Sequence, residues 1–141
     1  MPASILLVDD NKSGLAARKA ILEEQCFQVV TAANGDDALV QFVSGSFDLV
    51  VTDFKMPKMN GTELIRRLRE AQPGVRIVLL SGCVASHGLD EGSTGADVVL
   101  AKGPNEVTHL VRAVNRLLTK RTARRPPRKA GGASEAGAKS A

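Results

Sequence analysis

Aspartates, one serine and one lysine come directly after short apolar runs of the sequence, where they could act together in phosphoryl chemistry. Asp9 and Asp10 follow the first run, Asp53 the third, Ser81 the fourth and Lys102 the fifth. Three carboxylates brought to one place repel each other unless a cation lies among them, and oxygen ligands suit Mg²⁺. Such a cation keeps Asp53 ionised as a nucleophile toward phosphorus, while an ammonium and a hydroxyl group balance the charge of the transferred group.

This clustering requires strands that end at a common edge, and the apolar pattern predicts them. Runs rich in β-branched residues have the length of strands buried on both faces, at 5–8, 27–31, 48–51, 75–80 and 97–100. Helical patterns lie between these runs, around residues 15–22, 36–43, 64–68 and 107–118. The alternation predicts an α/β fold, with a parallel sheet covered by helices on both faces. Ligands of such sheets bind beyond the carboxyl ends of the strands.

Two segments depart from the alternation. Residues 84–94 contain two glycines and almost no apolar face, so the fourth helix is predicted to be short and weak. At the other end, residues 120–141 carry seven Lys/Arg and one Glu, and no apolar residue larger than Ala or Pro. We therefore predict a folded domain over 1–119 and a disordered basic tail over 120–141.

Composition narrows the class of protein. The chain has 141 residues and a net charge of +4, but residues 1–119 carry 12 Lys/Arg and 14 Asp/Glu, so the domain itself is slightly acidic. The longest apolar runs are too short to cross a bilayer. The two cysteines, Cys26 and Cys83, form no cluster of the kind that binds metals. We expect a cytoplasmic protein without a membrane span.

Five blocks of sequence stand in the order and approximate spacing of the receiver domain of two-component response regulators, which residues 4–118 resemble. These blocks are LLVDD (6–10), VVTDFKMPKMNG (50–61), LLSG (79–82), GAD (95–97) and LAKGP (100–104). The resemblance implies a CheY-like, flavodoxin-like sheet of five parallel strands in the order 2-1-3-4-5. It also implies a phosphorelay switch, limited to its own phosphoryl transfer and dephosphorylation, and not an enzyme acting on a small substrate. From the length we expect a stand-alone receiver without an attached output domain.

The resemblance implies an acceptor and a metal site. Asp53 is implied to accept a phosphoryl group from a histidine kinase or phosphotransfer protein, forming an aspartyl phosphate. Asp10, Asp53 and the backbone carbonyl of Lys55 are implied to bind Mg²⁺ directly, and Asp9 to act largely through water.

Other roles surround the acceptor. Lys102 is implied to pair with the phosphoryl group and Ser81 to hydrogen-bond it, while the small Gly82 gives the backbone access to the same oxygen. Lys55 and Cys83 stand two residues beyond Asp53 and Ser81. We predict that they influence the lifetime of the aspartyl phosphate.

Three departures from the family pattern fall on the side that transmits the signal. The family has Tyr or Phe three residues before the lysine, where this chain has Val99, which has no ring to rotate inward. Gly103 separates Lys102 from Pro104, and residues 84–94 are the weak segment described above. We hypothesise that phosphorylation is normal, and that signalling uses another surface or orders residues 84–94.

Three alternatives remain open. The basic tail could bind nucleic acid through its seven cations, although it lacks an aromatic residue for stacking on bases. A phosphatase of the haloacid dehalogenase type also uses aspartate, lysine and Mg²⁺, but places its nucleophile after the first strand. A degenerate receiver would work without phosphate.

Three charged or titratable residues are predicted to have no role at the site. His109 is predicted to be a surface residue of the last helix. Asp36 and Asp37 are predicted to lie at the start of the second helix, where their charge interacts favourably with the helix dipole.

Overall fold

The computed structural model describes residues 3–82, 94–103 and 105–122. Strands and helices alternate along them in the order β1 Ser4–Val8, α1 Lys12–Glu24, β2 Gln28–Ala32, α2 Gly35–Ser44, β3 Leu49–Asp53, α3 Gly61–Ala71, β4 Arg76–Ser81, β5 Val98–Ala101 and α4 Glu106–Thr122. Cys83, His87, Pro104 and nearly all of the predicted weak helix over 84–94 lie outside the described residues.

The five strands form one parallel sheet in the order β2-β1-β3-β4-β5, which confirms the order that the resemblance implies. Side chains of β1 alternate between two apolar cores, with Leu6 on one face of the sheet and Leu7 on the other. Helices α2 and α3 supply the first core, for example Phe42 and Leu64. Helices α1 and α4 supply the second. Helices therefore cover both faces, as predicted.

Strands β3 and β4 extend beyond the apolar runs that predicted them. Asp53 is the last residue of β3 and is paired with Leu80, and Ser81 is the last residue of β4 and is paired with Ala101. The backbone ladder continues through these polar residues because it depends on the backbone and not on the side chain. Both side chains are thus held by a rigid sheet and not by a loop.

Three asparagines determine where the first helices begin. Each accepts, through its side-chain oxygen, a hydrogen bond from the backbone N–H three residues later at 2.7–3.0 Å, and they are Asn11, Asn34 and Asn60. Asp36 and Asp37 lie in the first turn of α2, as predicted, where their negative charge interacts favourably with the positive end of the helix dipole.

Helix α4 continues to Thr122, past residue 119, at which the domain was predicted to end. Residues 123–141 of the predicted tail lie outside the described residues. Within the described part of the chain, none of the helices combines the length and the apolar composition that crossing a bilayer requires.

Candidate phosphoacceptor site

Three carboxylates meet at the carboxyl ends of β1 and β3. One oxygen each from Asp9, Asp10 and Asp53 lies within 4.8 Å of the other two. Asp9 and Asp53 are buried, whereas Asp10 is exposed. Because three oxygen donors with partial access to water are what Mg²⁺ prefers, the residues present fit this cation.

Lys102 supplies the countercharge for Asp53. Its Nζ lies 2.8 Å from Asp53 Oδ1, and its backbone N–H donates to the carbonyl of Ser81 at 2.9 Å. Burial raises the pKa of Asp53 above its ordinary value, and the nearby charge of Asp9 adds to this, although the hydrogen bond and charge of Lys102 act in the opposite direction. Lys102 therefore offsets only part of the cost of ionising this buried carboxyl.

A cleft of about 620 Å³ opens over these groups. Seven residues of the predicted site line it, namely Asp9, Asp10, Asp53, Lys55, Ser81, Gly82 and Lys102. The side chain of Lys55 is exposed and Ser81 is buried. A Cβ added at Gly82 would have no atom of the described residues within 4 Å.

The backbone below Asp53 tolerates only glycine at the start of α3. A Cβ added at Gly61 would lie 2.7 Å from the carbonyl oxygen of Asp53 and 2.7 Å from Cδ1 of Leu79. The N–H of Gly61 donates to the carbonyl of Phe54 at 2.7 Å. Gly61, the last residue of the sequence block 50–61, therefore brings α3 directly against the end of β3.

Val99 is half-buried on β5 and packs against the core that α2 and α3 supply. It does not line the cleft. His109 is exposed on α4, as predicted for a surface residue.

An arginine contacts this site and a glutamate contacts that arginine, and the sequence pattern alone identified neither. Nη1 of Arg18, on α1, lies 2.6 Å from Oδ2 of Asp9, and its Nε lies 2.5 Å from Oε2 of Glu106, on α4. The available signal was a cation in the apolar stripe of α1, between Leu15 and Leu22, since a buried charge requires a partner.

Comparison with known proteins agrees with this geometry. The family model of the response regulator receiver domain matches residues 5–115. The chain belongs to this family. The receiver family and the position of Asp53 at the end of β3, the third strand, together exclude a phosphatase of the haloacid dehalogenase type.

Three similar proteins illustrate the range of the family. The chain is 36% identical over 119 residues to a gliding motility regulatory protein of Myxococcus xanthus. The aligned region covers 80% of this chain but only 15% of that protein. A receiver domain protein from Clostridium thermocellum has 29% identity and a TM-score of 0.78, covering 86% of this chain and 98% of its own. The response regulator TrrA from Thermotoga maritima, in complex with Mg²⁺-BeF, has 35% identity and a TM-score of 0.74, covering 83% and 99%.

Proposed function

We propose that this receiver is a phosphorylation-dependent switch that accepts a phosphoryl group on Asp53 from a histidine kinase or phosphotransfer protein and signals through protein–protein contacts. One observation carries the proposal. The carboxylate of Asp53 ends a buried strand with the ammonium of Lys102 at 2.8 Å and two further carboxylates within 4.8 Å. A structural aspartate needs neither the additional carboxylates nor a cleft above it.

The proposed step is a substitution at phosphorus. A carboxylate oxygen of Asp53 forms the new O–P bond while the P–N bond to the donor histidine breaks, and the imidazole nitrogen keeps the electron pair of that bond. Lys102 then pairs with the phosphoryl oxygens, because the carboxylate of Asp53 loses its negative charge when the new bond forms. Ser81 donates its hydroxyl hydrogen to one of these oxygens. Hydrolysis of the acyl phosphate later restores the free carboxylate.

Mg²⁺ is part of the proposal, held by Asp10, Asp53 and the carbonyl of Lys55, with Asp9 acting largely through water. When bound, the ion supplies positive charge for the equatorial oxygens of the transferred group. Asp9 and Asp10 would hold the ion beside Asp53, and the positive charge of the ion would keep the Asp53 carboxyl ionised at neutral pH. The Mg²⁺-BeF complex of TrrA, 35% identical to this chain, supports this part of the proposal.

The deciding experiment is incubation of the chain with acetyl phosphate and Mg²⁺, read by intact mass. An adduct of about 80 Da is expected, the mass of one phosphoryl group. Asp53→Asn should abolish the adduct, whereas Asp36→Asn, on the exposed first turn of α2, should leave it unchanged. An adduct that persists in Asp53→Asn contradicts the proposed acceptor. The absence of any adduct in the wild type favours the degenerate receiver.

A further inference from the structure

A row of three charges leads from the acceptor cleft to the last helix. Arg18 donates from Nη1 to Asp9 and from Nε to Glu106, which lies in the first turn of α4. The side chains of Asp9, Arg18 and Glu106 are 2%, 11% and 15% exposed. Because water screens these charges little, each strongly affects the energy of its neighbour.

Helix α1 keeps space for this row. A Cβ added at Gly14 would lie 2.9 Å from Nη1 of Arg18 and 3.2 Å from Oδ2 of Asp9. Glycine inside a helix is unfavourable, since it loses more backbone freedom than other residues. Gly14 thus leaves room for the ion pair at a cost in helix stability.

The carboxylate of Asp9 is held at both oxygens. Its Oδ1 accepts the backbone N–H of Asn11 at 3.0 Å, and its Oδ2 accepts from Arg18 at 2.6 Å. The same carboxylate belongs to the cluster that fits a divalent cation. Arg18 and the cation therefore share one anionic partner, and the binding of one weakens the attraction that Asp9 exerts on the other.

We propose that Arg18 is a positioning residue that couples cation binding beside Asp9 to the first turn of α4 through Glu106. When a cation neutralises Asp9, the hold of Arg18 shifts toward Glu106. When Glu106 is removed, the whole charge of Arg18 falls on Asp9 and opposes the cation. Such coupling is reciprocal by thermodynamic linkage, so the cleft and α4 each report on the other. The inference rests on the proposed function in taking Mg²⁺ as the cation.

The two ends of the row should change Mg²⁺ affinity in opposite directions. Arg18→Met removes the competing charge and should tighten Mg²⁺ binding on the order of tenfold, whereas Glu106→Gln should weaken it by a similar factor. The change caused by Glu106→Gln should be much smaller in chains that also carry Arg18→Met, because its route to Asp9 is then missing. The measurement is calorimetric titration of the full chain with MgCl₂.

Two further variants separate this role from charge alone. Lys19→Met, which removes a cation from the same helix but from the exposed pair with Glu23, should leave Mg²⁺ affinity unchanged. Arg18→Lys keeps the charge but cannot bridge two carboxylates with separate nitrogens. It should retain an affinity near that of the wild type and lose the response to Glu106→Gln. If Arg18→Met does not fold, this variant still tests the coupling.

The transmission to α4 has its own readout. Mg²⁺ should shift the backbone amide resonances of residues 106–109 in the wild type, and the shift should be lost with Arg18→Met. A Mg²⁺ affinity of Glu106→Gln equal to that of the wild type, or amide shifts that persist with Arg18→Met, overturns the coupling while acetyl phosphate labelling still supports the proposed function. A wild type that is not labelled and binds no Mg²⁺ overturns both.

Discussion

The ammonium of Lys102 lies 2.8 Å from Oδ1 of Asp53. Asp53 ends β3 and Lys102 follows β5, and β4 lies between these two strands in the sheet. The shared direction of parallel strands brings them to one edge, where the carboxylate already has its countercharge. Asp53 nevertheless keeps a raised pKa, because its burial outweighs the effect of Lys102. The ionisation of Asp53 therefore depends on the positive charges beside it.

Removing Lys102 should raise the pKa of Asp53 further, since the carboxylate then loses its hydrogen bond and its nearest positive charge. Lys102→Met should show this in a carbon-13 NMR titration of the Asp53 carboxyl without metal, and adding MgCl₂ to the wild type should move the pKa down. Lys12→Met, on the exposed start of α1, is the matched control and should leave this pKa unchanged. A lower pKa in Lys102→Met contradicts the assignment of roles.

Asp53→Asn should increase the free energy of unfolding at neutral pH in buffer without Mg²⁺. The raised folded-state pKa means that the folded chain holds this proton to higher pH than the unfolded chain, whose value is near 3.8. Stability is therefore lost as pH rises through the folded pKa, and the loss is complete above it. Urea unfolding from pH 7 downward should show the advantage of the variant shrinking. Saturating Mg²⁺ should reverse it, because only the wild type retains all three carboxylates.

Gly61→Ala should destabilise the fold and slow labelling of Asp53. The added methyl group would lie 2.7 Å from the Asp53 carbonyl, which is backbone and cannot move aside without bending β3. We expect a loss of about 1–3 kcal/mol in urea unfolding, as for other overpacked sites. Gly74→Ala is the matched control, because its Cβ would meet no atom of the described residues within 4 Å, and its effect should stay within about 0.5 kcal/mol. Equal effects of the two substitutions would show that the close approach at Gly61 is unimportant.

The acceptor residues could be predicted because their signal is local. Asp53 follows four successive buried residues of one short strand, and a polar side chain at that point faces the ligand edge of a parallel sheet. Strand boundaries were less predictable, since apolar periodicity ends one residue or more before the backbone ladder does at Asp53 and Ser81. The strand order came from the resemblance and not from the pattern.

The pair of Arg18 and Glu106 could not be predicted, because these residues are 88 positions apart and neither belongs to a motif. Periodicity along α1 shows only that position 18 faces inward. Which carboxylate neutralises the buried arginine depends on how α4 packs beside α1, and that information is tertiary. A charged residue inside an apolar stripe therefore predicts that a partner exists, but not which residue that partner is.

Arg69 should stabilise the edge of the sheet that carries β5. Its guanidinium donates to the carbonyl of Gly95 at 2.8 Å, to the carbonyl of Val75 and to Asp97 at 3.1 Å. Arg69→Met should lower the free energy of unfolding by about 1–3 kcal/mol, because it removes a charged donor from backbone acceptors and from a partly buried carboxylate. Arg66→Met is the matched control on α3, whose partners are exposed glutamates of the same helix, and it should have almost no effect. Similar losses in both variants would contradict the role given to Arg69.

Gly14→Ala tests the space kept for the ion pair, because two opposing effects act at this position. Alanine favours the helical backbone by about 1 kcal/mol over glycine. Its methyl group, however, would lie 2.9 Å from Nη1 of Arg18 and would displace the guanidinium from Asp9. In the wild-type background without Mg²⁺ we expect the second effect to dominate, so that urea unfolding shows a less stable protein. With Arg18→Met the methyl group meets a flexible apolar chain and the ion pair is already absent, so the same substitution should become neutral or stabilising. A stabilisation of equal size in both backgrounds would mean that Gly14 has no part in holding Arg18 against Asp9.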